Sequence, residues 1–123
     1  MSIVFDTSIL IDLLRADAAA LDYVRQLEEV PACSEVTRVE VVRGLRTPER
    51  MSAERLFQTI RWIPVDGLIA RRAGELGRRW DRHRPGISVA DFVIAATVEQ
   101  LDAVLATGNV RHFPMFEDLQ PPY

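Results

Sequence analysis

Three acids and one amide occupy equivalent local positions in this chain. Asp6 closes the apolar run Ile3-Val4-Phe5 and is followed at once by Thr7 and Ser8. Glu40 and Asp91 each fall in what reads as the first turn of a helix, in Thr37-Arg38-Val39-Glu40 and Ser88-Val89-Ala90-Asp91. Asn109 follows the apolar run at 103–106. Carboxylates a few ångströms apart repel, so three of them at one place require a cation. Hard oxygen donors suit Mg²⁺ or Mn²⁺, and magnesium typically binds through a few carboxylates while meeting substrate phosphate. A metal held in this way activates a water, neutralises a phosphodiester and stabilises its leaving oxygen. Each acid also has a local explanation. A hydroxyl at N-cap with an acid three residues on is a capping box, and an acid in a first turn complements the helix dipole for roughly 0.3–1 kcal/mol. What separates site from cap is whether the acids meet.

The elements that must bring them together alternate along the chain. Residues 2–6 predict a strand. Ile9, Leu10, Leu13 and Leu14 repeat at helical spacing over Ser8–Leu14. A second helix fits residues 18–29, with Leu21, Val24 and Leu27 on one face, and Pro31-Ala32-Cys33 predicts a second strand. A helix begins near Thr37 and stops at Gly44 or a little beyond; another fits 51–60. Arg61 to Val65 predicts a third strand, which Pro64 pushes toward a sheet edge. Residues 67–82 form an arginine-rich helix with Leu68, Ile69, Ala73, Leu76 and Trp80 as its apolar stripe, and His83 stands at its solvated end. Arg84-Pro85-Gly86 is a loop. Residues 88–99 are apolar almost all round and predict a central helix. A fourth strand over 103–106 leads to a loop reaching about Pro114, and a last short strand is expected near Asp118–Gln120. Strand–helix alternation favours one α/β domain over 1–123 with a parallel sheet. In such sheets ligands bind beyond the carboxyl ends of the strands, where strand order reverses. Asp6 and Asn109 both follow strands at that end.

Composition narrows the class further. With 123 residues, 48% hydrophobic and 27% charged, the chain suits one compact domain. No apolar stretch approaches the ~20 residues of a membrane helix, and the N-terminus has no signal-peptide pattern. The single cysteine, Cys33, has no partner for an internal disulfide. Together these favour the cytoplasm and no membrane. The net charge of −3 is not that of a tight nucleic-acid binder, but its distribution is uneven. All 15 basic residues are arginine, and between Arg38 and Arg84 twelve arginines face six acids. From charge alone that central excess reads first as a solvated helix surface; the alternative is a surface that tracks a phosphate backbone, with Arg71-Arg72 and Arg78-Arg79 as its candidates. Trp62 and Trp80 are expected in the core or an interface rather than as base-stacking platforms.

In order, Asp6-Thr7-Ser8, Thr37-x-x-Glu40 with Arg43-Gly44, Ser88-Val-Ala-Asp91 with Ile94-Ala95-Ala96-Thr97, and Leu105-Ala106-Thr107-Gly108-Asn109 with Phe113 resemble the serial motifs of PIN domains. More narrowly, they resemble VapC-type toxins of bacterial toxin–antitoxin pairs. The resemblance spans nearly the whole chain. It implies a three-layer α/β/α fold around a central, mainly parallel sheet of four or five strands. It implies an endoribonuclease in which Asp6, Glu40 and Asp91 bind Mg²⁺ or Mn²⁺ and Asn109 completes the catalytic set. Many members have an Asp at this last position and others an Asn. Where members often carry an acid before the loop phenylalanine, this chain has His112. Ser8 and Thr107 suit the role of orienting a carboxylate or a metal-bound water. Arg43, Arg111 and His112 are candidate substrate contacts. The implied partners are a structured RNA such as tRNA or rRNA, a second copy in a homodimer, and a VapB-type antitoxin laid along the active-site groove. Asn109 is the one feature favouring a rival, a PIN-like module that grips RNA or protein without cutting. The three acids argue against it. The lack of lysine argues against a receiver domain, and the lack of a second Asp two residues after Asp6 against a haloacid-dehalogenase-type hydrolase.

Overall fold

The computed structural model describes residues 1–82 and 85–123, so His83 and Arg84, the helix end and loop start discussed above, lie outside the described residues. Four strands, β1 (Ile3–Phe5), β2 (Ala32–Ser34), β3 (Arg61–Ile63) and β4 (Val104–Ala106), pair in the order β3-β2-β1-β4, all parallel. Side chains alternate across each strand and so feed two cores. Val4 and its partner Leu105 face one core; Phe5 and its partner Ala106 face the other. Among the described residues six α-helices cover the faces: α1 (Thr7–Leu14), α2 (Ala18–Arg25), α3 (Glu35–Gly44), α4 (Arg50–Phe57), α5 (Gly67–Trp80) and α6 (Val89–Leu101). Residues of α5 and α6 pack with Val4 and Leu105, whereas residues of α1, α3 and α4 pack with Phe5 and Ala106. The result is the three-layer α/β/α arrangement.

Helix α6 carries eight consecutive buried residues, Asp91 to Val98, as expected of a helix apolar on every side. β3 lies at the sheet edge, where Pro64 just beyond it costs no ladder bond. Trp62 on β3 packs edge-on against Phe57 at 5.3 Å, donates Nε1–H to the Phe57 carbonyl at 2.9 Å, and carries the Arg38 guanidinium 4.0 Å above its ring. It is a packing residue. Trp80 is likewise packed against the α5–α6 core.

Several expectations are corrected. The strand expected near Asp118–Gln120 is absent; Asp118 sits in a turn with φ 58°, so the sheet has four strands among the described residues. Helix α2 ends at Arg25 and α4 at Phe57, short of the predicted ends. Leu68 is 59% exposed and lies outside the α5 stripe, whose buried members are Ile69, Ala73, Leu76 and Gly77. Helix α3 starts two residues before Thr37. Its N-cap is Ser34, whose hydroxyl accepts from the Val36 N–H at 3.1 Å. Thr37 therefore does not cap, and Glu40 lies in the second turn of α3 rather than the first.

Candidate active site

The sheet order makes β1 the switch point: the chain passes from β1 to β2 on one side and later to β4 on the other. The crevice beyond the carboxyl ends of β1 and β4 is where this fold class binds ligands. Asp6 ends β1 there. Its backbone N–H donates to the Ala106 carbonyl at 2.9 Å, and its carboxylate caps α1 by accepting from the Thr7 N–H at 2.7 Å. The other carboxylate oxygen accepts from Ser8 Oγ at 2.9 Å and Thr107 Oγ1 at 2.7 Å. Thr107 Oγ1 in turn accepts from the Asn109 N–H at 2.9 Å, and Ser8 Oγ accepts from the Gly108 N–H at 3.2 Å. Two hydroxyls thus stitch the start of α1 to the loop after β4, and Asp6, only 3% exposed, has three charge-assisted hydrogen bonds holding it.

Glu40 reaches the same place from α3, accepting from Thr7 Oγ1 at 2.6 Å. Asp91 reaches it from α6, where it completes a capping box: Ser88 N–H donates to Asp91 Oδ2 at 3.0 Å and Asp91 N–H donates to Ser88 Oγ at 3.1 Å. Asp91 is cap and cavity wall at once, so the two explanations of this acid do not compete. Its Oδ2 is also 3.2 Å from His112 Nδ1, on the short 3₁₀ turn that follows Asn109. Asp6, Glu40, Asp91, Asn109 and His112 line one open cavity of about 280 Å³. Arg43 and Arg111 are exposed and do not line it, and neither do Arg71, Arg72, Arg78 or Arg79. Arg72 is committed to Glu99 and Glu75.

The box gives a test of Asp91's structural share. In chelator, Asp91→Ala is expected to cost about 1 kcal/mol in urea unfolding, because the Ser88 N–H loses its acceptor, while Asp91→Asn keeps an acceptor and most of that stability. Equal losses in both would assign Asp91's contribution to its charge instead.

The donor set is three carboxylates and an amide, all hard oxygens, which fits Mg²⁺ or Mn²⁺. Cys33, buried on β2, supplies no soft ligand: burial pushes its thiol up to about 12, with the charge of Asp6 adding to the rise. Among the described residues no three His, Cys, Asp or Glu side chains stand in a ready metal shell. Each carboxylate is instead held by its own neighbours through at least one oxygen. Glu40 Oε2 and Asp91 Oδ1 have no hydrogen-bond partner among the described residues, so lone pairs remain for a cation. Thr7 and Thr37 join the site only through the fold. Thr7 was visible only as part of Asp6-Thr7-Ser8, and nothing local in the sequence marks Thr37 as facing α1.

Fold and site together define an α/β/α domain with an acid-lined crevice at its switch point. The PIN domain model matches residues 3–116, and the chain belongs to the PIN domain family. It is 45% identical over 122 residues to Ribonuclease VapC19 of Mycobacterium tuberculosis, covering 96% of this chain and 97% of the relative. It is 44% identical over 123 residues to Ribonuclease VapC10 of the same species, covering 98% and 92%. Among solved structures it is similar to a toxin–antitoxin complex from Klebsiella pneumoniae, with TM-score 0.84 and 26% identity over 99% of this chain and 98% of that one.

Proposed function

We propose that this chain is a metal-dependent endoribonuclease that hydrolyses RNA phosphodiester bonds and acts as the toxin of a toxin–antitoxin pair. The observation that carries the reading is the convergence of Asp6, Glu40, Asp91 and Asn109, from four separate segments, on one cavity at the sheet's switch point. The ribonuclease names of its relatives and the toxin–antitoxin neighbour support it. Asp6, Glu40 and Asp91 would hold Mg²⁺ or Mn²⁺, which when bound neutralises the phosphate and lowers the pKa of a water.

The chain's own residues set the rest. Ser8 and Thr107 fix the orientation of the Asp6 carboxylate at the cavity, so it need not reorganise to meet a cation. Asn109 brings an amide where a fourth carboxylate would add negative charge, which lowers the demand for a second cation. His112 offers a ring nitrogen at the cavity wall to a phosphate oxygen, and Arg43 and Arg111 lie outside it, where flanking phosphates would run. The partners follow the same electrostatics. A basic side chain of a VapB-type antitoxin laid over the acids would replace the cation's charge; the toxin itself is read as a homodimer. No helix among the described residues is long and apolar enough to cross a membrane; a tRNA or rRNA target would be met in the cytoplasm.

The test is cleavage of a mixed pool of tRNA and rRNA by the partner-free protein, with Mg²⁺, with Mn²⁺ and with chelator. Metal-dependent cutting that chelator stops is the expected result. A folded protein that binds the pool but leaves it intact with either metal would replace the nuclease by the RNA-binding module that Asn109 favours.

A further inference from the structure

Thr37 is fully buried, yet it carries a hydroxyl in the first turn of α3. Thr97, deep in α6, satisfies its hydroxyl on the carbonyl one turn back, donating to Val93 at 2.8 Å. One turn before Thr37 lies Cys33 on β2, ahead of the helix, so Thr37 must find its partner elsewhere. Among the described residues its Oγ1 has one partner, Thr7 Oγ1, 3.1 Å away on α1. Thr7 Oγ1 is also 2.6 Å from Glu40 Oε1. A hydroxyl has one proton, and a contact this short to a carboxylate claims it. The proton in the Thr7–Thr37 contact is then Thr37's own.

We infer that Thr37 and Thr7 form a hydroxyl relay that positions Glu40: Thr37 donates to Thr7, and Thr7 donates to Glu40. Thr37 and Glu40 are three residues apart on α3 and so share one face of it. Glu40 is itself exposed, and a free glutamate on a helix surface samples several rotamers. The relay selects the one that faces the cavity. It also joins two acids, because the Thr7 N–H donates to Asp6 Oδ1 at 2.7 Å. Both threonines are positioning residues: Thr37 stands behind the cavity wall, and Thr7, which borders the cavity, spends its hydroxyl proton on Glu40. The inference rests on the nuclease reading, since it assigns Glu40 to cation binding.

The test uses the full chain, partner-free. Mn²⁺ binding is followed by the resonance signal of the free ion, beside cleavage of the tRNA and rRNA pool. Thr37→Val keeps the shape and deletes the donor. It is expected to weaken Mn²⁺ binding by about 10-fold, to slow cleavage at limiting Mn²⁺, and to recover at excess Mn²⁺. Thr37→Ser restores the hydroxyl and should return both readouts close to wild type, with unfolding in chelator little changed in either variant. Should Thr37→Val fail to fold, Thr7→Val against Thr7→Ser puts the same question at the next link. If the wild type binds Mn²⁺ and cuts while the folded valine variant matches it, the relay alone is overturned. Failure of serine to restore binding overturns it too, because the loss then belongs to packing. If the wild type neither binds Mn²⁺ nor cuts, the nuclease reading falls first and the relay falls with it.

Discussion

Asp6→Asn is expected to abolish metal-dependent RNA cleavage while leaving a folded protein. Removing an outer partner of a metal ligand typically costs about 10–100-fold in affinity or activity, so removing a donor charge should cost more than ~100-fold. Folding survives for a reason visible at the site. The Asp6 carboxylate accepts from one backbone N–H and two hydroxyls. Asn is as good a cap as Asp and keeps an oxygen for one of these donors. The Ser8 and Thr107 hydroxyls can turn to accept from its NH₂ group, since a hydroxyl both donates and accepts. Asp6→Ala lacks this remedy. It leaves those donors unpaired in a buried pocket, at about 1–3 kcal/mol. Cleavage assays with Mn²⁺ and thermal unfolding with and without Mn²⁺ check the pair. Added Mn²⁺ should raise the wild-type midpoint, because it binds only the folded state, and should leave that of Asp6→Asn unmoved. An asparagine variant that still cuts would remove Asp6 from the metal-binding set.

Phe113→Ala is expected to give the largest loss of stability, about 3–5 kcal/mol, for a buried aromatic truncated in a packed core. Phe113 is 0% exposed and belongs to the cluster built around α5 and α6. That loss is a large share of the roughly 5–15 kcal/mol by which small domains are stable. Urea midpoints would measure it, with Phe113→Leu retaining most of the stability. The change should also reach the site. Phe113 follows the short turn carrying His112, and its N–H closes that turn on the Val110 carbonyl at 3.1 Å. Freeing this anchor releases the loop whose other end is tied to Asp6 through Thr107. Cleavage should therefore fall further than the folded fraction does. A decline that tracks the folded fraction alone would show that the loop is held from the Thr107 side.

Much of this was legible along the chain because the signals are local. The central helix declares itself by being apolar on every side, and the Ser88–Asp91 box is a relation between residues three apart. Pro64 marks an edge strand because it lacks an N–H wherever it sits. The misreadings share a cause as well. Thr37-x-x-Glu40 has the form of a capping box, but Ser34 starts α3 one turn earlier and buries Thr37. Leu68 fits the stripe of α5 by spacing, yet no neighbouring element covers it. Asp118–Gln120 has no strand partner to pair with among the described residues.

By itself, then, the sequence determined most of the elements and their order, the alternation that favours a parallel sheet, and the acids Asp6 and Asp91 that begin helices α1 and α6. Propensity, periodicity and capping depend on neighbours a few residues away, so they can be read in one dimension. Only the tertiary structure decided that β1 lies between β2 and β4, which brings Thr107 to Asp6 across 101 positions. Only it set His112 against Asp91, and Thr37 behind the hydroxyl that holds Glu40. Those contacts are chosen by how whole faces pack, and no residue's local pattern encodes which distant side chain it will meet.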